Sequence, residues 1–164
     1  MGLMRGGVRH TLLALATAAC AFLASPPPCV AAESMAVIVH PSTPVKDLTM
    51  AEVRKIFLGD RQYWTANMPV VLIVRAPVAP ERAIVLKRIY KMSESQFKQY
   101  WIARIFRAEA PSTPKVVYSN EMVNELVSAI PGAISLVRMD AVAPSVRVVR
   151  IDGTLPGEDG YPLR

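Results

Sequence analysis

From residue 35 onward, short runs of β-branched and aliphatic residues alternate with stretches whose apolar positions recur at helical spacing. Residues 35–40 form a β-branched run stopped by Pro41, which predicts a buried strand. Thr49 and Glu52 have the spacing of a capping box, so a helix is expected from there to about Leu58. Val53, Ile56 and Phe57 share one of its faces, and Gly59 supplies the stop. Residues 59–69 read as a loop carrying Arg61, Tyr63 and Trp64. Residues 70–75 make a second strand without polar alternation, so both of its faces should be covered. Pro80 suits a first helical turn and Glu81 the positive end of the helix dipole. That helix should reach about Met92 and bury Ala83, Leu86, Ile89 and Tyr90. Ser93 and Gln96 form a second capping box, opening a helix to about Phe106 with Phe97, Tyr100, Trp101 and Ile105 as its core stripe.

Beyond the break at 111–114, residues 116–118 read as a short strand, and Ser119 or Asn120 caps a helix to about Ala129. A turn at 130–132 leads to strands at 133–137 and 146–151. The alternation predicts an α/β domain, a mixed or parallel sheet with helices on both faces.

The first 32 residues follow a different pattern. Arg5 and Arg9 precede a fourteen-residue apolar run at 11–24; Pro26, Pro27 and Pro28 end it, and small residues follow at Ala31 and Ala32. A bilayer-spanning helix needs roughly 20 apolar residues, so the run is short for an anchor and has the layout of a secretory signal peptide. The expected division is a signal peptide at 1–32 and one domain at 33–164, exported to the periplasm or secreted. Cleavage after Ala32 removes both cysteines, Cys20 and Cys29, together with His10, and leaves 132 residues of net charge +4. Such a domain must hold together by its core rather than by disulfides.

Composition narrows the chemistry further. With His40 as the one remaining histidine and no cysteine, no metal site is expected, and neither a cysteine nucleophile nor a histidine triad is available. No Gly-rich phosphate loop, nucleophile elbow or zinc-protease motif is present, and no cofactor is implied. Glu121 and Glu125 share a helix face, but at that spacing they read as solvated acids. The basic residues are dispersed and aromatics make up only 7% of the chain, which argues against nucleic acid. The expectation is a protein that is not an enzyme.

One stretch has a binding mechanism. Between Arg75 and Arg82 a strand end feeds a helix start, where free amides and a partial positive charge suit an anion. Arg75 and Arg82 add two charged forks for an oxyanion. The competing reading gives both arginines to a solvated loop, with Glu81 pairing one of them.

Several short motifs occur in a telling order: Ile56, Phe57 and Gly59 followed by Trp64; Tyr100 and Trp101 followed by Ile105 and Phe106; Pro114; 130–135; then Asp152, Gly153, Pro156 and 161–164. Together they resemble the phosphate-type substrate-binding proteins of ABC transporters, members of the type 2 periplasmic binding-protein superfamily. The resemblance covers nearly all of 33–164 and implies one lobe of that two-lobed fold, a mixed sheet flanked by helices. It implies a solute-binding-type domain with phosphate or another oxyanion as ligand and an ABC transporter or another envelope protein as partner. Arg75 and Arg82 stand where the family has arginines. Where the family has a Ser-Gly-Thr helix start, this chain has Val78, Ala79 and Pro80, which lack hydroxyls and one amide donor. Weak or altered ligand binding is therefore expected. The alternative is a protein–protein interaction module that has lost its ligand and uses the exposed cleft face. A homodimer pairing two lobes would restore an enclosed cleft.

Overall fold

The computed structural model describes residues 1–2 and 34–164. The segment read as a signal peptide therefore lies outside the described residues, apart from its first two.

A five-stranded sheet organises the domain. Its order is β6 (Lys115–Val117), β5 (Val71–Arg75), β7 (Ala133–Arg138), β1 (Met35–Val39) and β8 (Arg147–Val148). β5 runs parallel to β6 and β7, whereas β1 is antiparallel to β7 and β8, so the sheet is mixed. All five residues of β1 are buried, which explains why its sequence carries no polar alternation. Val37, Val39, Val74, Ile134 and Leu136 face a core shared with α1 (Met50–Phe57), α2 (Pro80–Ile84) with its π-helical continuation Val85–Tyr90, and α3 (Glu94–Phe106). Ala36, Ile38, Ile73, Ala133 and Val137 face the other way, against α4 (Asn120–Ala129). Helices on both faces are as the alternating pattern predicts.

Both capping boxes form. The Thr49 hydroxyl accepts from the Glu52 amide at 3.2 Å while the Glu52 carboxylate accepts from the Thr49 amide at 2.9 Å. Asp152, over a hundred residues later, accepts from the Met50 amide at 3.1 Å and so ties the helix start to the C-terminal segment. At the other end of α1 the orphan carbonyls find side-chain donors. The hydroxyl of Tyr90 donates to Phe57, that of Tyr100 to Leu58 at 2.8 Å, and Arg104 to Gly59 at 3.3 Å.

Four local expectations change. Residues 63–69 form a hairpin, β3 (Tyr63–Thr65) with β4 (Met68–Pro69), rather than an open loop. Trp64 is drawn inward, and its indole donates to the Gly132 carbonyl at 2.9 Å. The second helix buries Glu81, Arg82, Val85, Leu86, Ile89 and Tyr90, whereas Ala83 is exposed. Charged side chains with buried partners displace the small apolar one from the inner face. In α3, Phe97 and Trp101 are buried but Ile105 is exposed, together with Ile102 and Phe106. The last turn of α3 meets the α1 carbonyls and Asp60 through Arg104, which supplies the donors they need. The final strand divides at Val149: β8 joins the main sheet, and β9 (Arg150–Ile151) pairs in parallel with β2 (Asp47–Leu48).

Gly132 sits at φ +81°, and a Cβ there would lie 2.1 Å from the Pro69 carbonyl oxygen. Gly132→Ala is expected to cost about 2–4 kcal/mol, left-handed strain plus overpacking. Urea unfolding measures it, and the midpoint should fall with the slope unchanged.

Candidate functional site at the carboxyl end of β5

The three parallel strands β6, β5 and β7 end on the same side of the sheet. β5 delivers Arg75 to that edge, in register with Val117 of β6. The chain then turns through Pro77 and Val78 into α2, whose start has no side-chain cap and carries Pro80 in its first turn.

Arg75 is 11% exposed, and its Nε lies 3.6 Å from Oε2 of Glu81. Glu81 is almost completely buried, and its other oxygen accepts from the Asn120 amide at 2.9 Å. The pairing is loose. Nε and Nη1 of Arg75, Oε2 of Glu81 and Oδ1 of Asn120 are all buried without a hydrogen-bond partner. A second carboxylate also feels this arginine. Glu121 titrates below the usual carboxylate range because its own amide and the Ser119 hydroxyl hydrogen-bond to it, with the Arg75 charge adding to the effect.

Arg82 turns elsewhere. Its guanidinium, 3% exposed, grips Glu94 with two bonds, Nε to Oε2 at 3.0 Å and Nη2 to Oε1 at 2.8 Å. It also stacks over the Phe97 ring, 3.9 Å from the centroid. That arrangement clamps the start of α2 to the start of α3, and it occupies the fork that the sequence offered as a second anion contact. The hydrogen bonds from Arg82 hold the Glu94 carboxyl below its ordinary value of 4.5.

The two arginines thus reach different carboxylates. Sequence reasoning placed Arg75 at the strand end and foresaw a Glu81 partner for one arginine. It missed Asn120 as a member of the cluster, although that residue directly follows the cap at the end of the neighbouring strand. Exposed apolar side chains also stand at this end of the sheet. Val78 is 94% exposed and Tyr118 76%, and Met122 and Met139 are also exposed at this end of the sheet.

No family model matches the chain. Solved structures do resemble it. An ABC-type phosphate transport receptor from Vibrio cholerae superposes with a TM-score of 0.61 at 20% identity, over 75% of this chain and 48% of that one. A phosphate ABC transporter substrate-binding protein with bound phosphate, from Clostridium perfringens, gives 0.61 at 21% identity, over 75% and 46%. PstS from Borrelia burgdorferi gives 0.62 at 16% identity, over 79% and 53%. The chain has the fold of a single lobe of such proteins. It spans about half the length of the structures it matches. Two of these neighbours are described as a transport receptor and a substrate-binding protein.

The lowered Glu94 value sets a pH dependence. A carboxylate depressed by folding contributes stability that is complete above 4.5, its unfolded value, and is lost as the pH falls through the lower folded one. Glu94→Gln should therefore be less stable than the parent at pH 7 and should show a shallower loss below about pH 4.5. Thermal melts from pH 7 to pH 3 read both effects.

Proposed function

We propose that the protein is an exported solute-binding-type domain, without enzymatic activity, that takes phosphate or another oxyanion weakly at Arg75. The observation that carries this reading is the guanidinium at the carboxyl end of β5, with two buried N–H donors left open. A partly buried guanidinium with free donors is a natural acceptor of an oxyanion. Arg82 supports the site from behind by fixing α2 against α3 and does not touch the ligand.

Two features keep affinity low. The segment at Val78, Ala79 and Pro80 offers no hydroxyl and one amide fewer. Glu81 pairs with Arg75 and the Glu121 charge is felt there as well, so an incoming anion must compete with negative charge already present. The segment at 1–32 acts as the export signal, and an ABC transporter or another envelope protein is the natural partner of such a domain.

A second reading is favoured by one observation, the exposed Val78 and Tyr118 beside Arg75. Exposed apolar side chains near a paired charge suit a protein surface better than a hydrated anion. In that reading the domain is an envelope interaction module that has lost its ligand.

Calorimetric titration with inorganic phosphate at low salt separates the two. The ligand reading expects saturable one-to-one binding near the millimolar range, about −4 kcal/mol. Arg75→Ala should abolish it, and Glu81→Gln should strengthen it roughly tenfold by removing a like charge within a few ångströms. Absence of heat for both the parent and Glu81→Gln defeats the ligand reading and leaves the interaction module.

A further inference from the structure

We propose that a cavity at the opposite end of β5 binds a small amphiphilic acid, one with a flat apolar body and a single carboxylate. The cavity is a half-open cleft of about 220 Å3 where the first residues of β5 meet α3 and the segment leading into β6, with Arg61, Gln62, Ser112 and Lys115 beside its apolar wall. β5 and β6 are parallel, so this site lies at their amino ends and Arg75 lies at the carboxyl end of β5. The inference is independent of the phosphate reading.

Size and lining define the body of the ligand. Val70, Leu72, Trp101, Ala110 and Pro114 form apolar wall. A dry apolar cavity of about 150 Å3 already admits benzene, so this one holds a single ring with a short substituent. It is smaller than the roughly 300–1,000 Å3 that drug-sized ligands require. Pro111 and Pro114 bracket the segment that closes one side, which restricts its backbone and reduces the ordering cost of binding.

Charge defines the other end. The lining contains Arg61 and Lys115 and no Asp or Glu. Arg61 is already engaged, 3.6 Å from Glu52 and stacked over Trp64 at 5.2 Å. Lys115 opens β6 in register with Ile73, is exposed, and has no ion-pair partner among the described residues. A carboxylate at the mouth meets that ammonium while the ring fills the apolar interior. The hydroxyl-bearing residues Ser112 and Thr113 stand in the same lining and offer further donors.

Protein-observed NMR and calorimetry with phenylacetate, and with neutral phenylacetamide as the control, test the assignment on the purified protein. Phenylacetate should bind saturably, shifting the Leu72 and Ala110 amides and leaving the Arg75 amide unmoved. It should bind about two- to fivefold tighter than the amide, the range of one exposed ion pair. Lys115→Ala, at an exposed position, should erase that preference and keep the binding. Ala110→Leu, which fills the cavity, should weaken both probes at least tenfold. No saturable binding of phenylacetate, shifts centred on Arg75, or undiminished binding by a folded Ala110→Leu would each overturn the proposal. Equal affinity for acid and amide overturns it as well, and is the result expected if the cavity receives a neutral aromatic side chain of a docking protein.

Discussion

Charge that leaves water must be compensated, and this requirement shapes the carboxyl end of β5. Arg75, Glu81 and Arg82 are all largely removed from solvent. An isolated buried ion is so costly that each of them needs a partner of opposite sign or a bound counter-ion. Arg82 is answered on two of its nitrogens by Glu94, with the Phe97 face beneath it, and its Nη1 is buried without a hydrogen-bond partner. Arg75 is answered only in part, since 3.6 Å is ion-pair distance and too long for a hydrogen bond. The contrast separates a two-bond clamp from a loose pair. Replacing a satisfied pair changes stability, whereas an under-satisfied one retains capacity for something from solution.

The fold was legible because the motifs that carry the resemblance are the ones that join distant segments. Ile56 and Phe57 sit in the larger core, and Gly59 adopts the left-handed turn that lets Trp101 approach. Trp64 donates to Gly132, Asp152 caps α1, and the Tyr161 hydroxyl donates to the Met35 carbonyl at 2.7 Å. Leu163 accepts from the Met35 amide at 2.9 Å, so the last residues close over the first strand. Each of these is a structural tie. Residues of this kind specify a lobe whatever that lobe holds, which is why the architecture was readable and the ligand was not.

What escaped the sequence has a common physical cause. Burial of Glu81 and Arg82 depends on partners distant along the chain, Asn120 at 39 residues and Glu94 at 12, and no local apolar pattern reports that. The exposure of Ile105 follows from where α3 runs out of core, a property of the packed helices and not of helical spacing. The hairpin at 63–69 lacks the Asn-Gly or Asp-Gly turn that announces most tight hairpins; its two-residue turn is Ala66 and Asn67. Residues 146–151 read as one strand because Val146, Val148, Val149 and Ile151 continue the β-branched run, yet its two halves serve different sheets.

These constraints also decide how strongly an oxyanion can be held at Arg75. A small anion gives up strong hydration on binding, and recovering that loss takes several directed donors in a site that excludes water. The Arg75 side chain is only 11% exposed, so an anion that reaches it must shed most of its water there. The nearby polar groups include Oε2 of Glu81 and Oδ1 of Asn120, both acceptors, which repel an anion instead of replacing its hydration. One guanidinium already paired with the Glu81 carboxylate, with the Glu121 charge also felt there, has little net positive potential to offer. The same arithmetic suits a ligand that brings apolar surface as well as charge, because Val78 and Tyr118 then contribute burial that does not depend on the balance around Arg75.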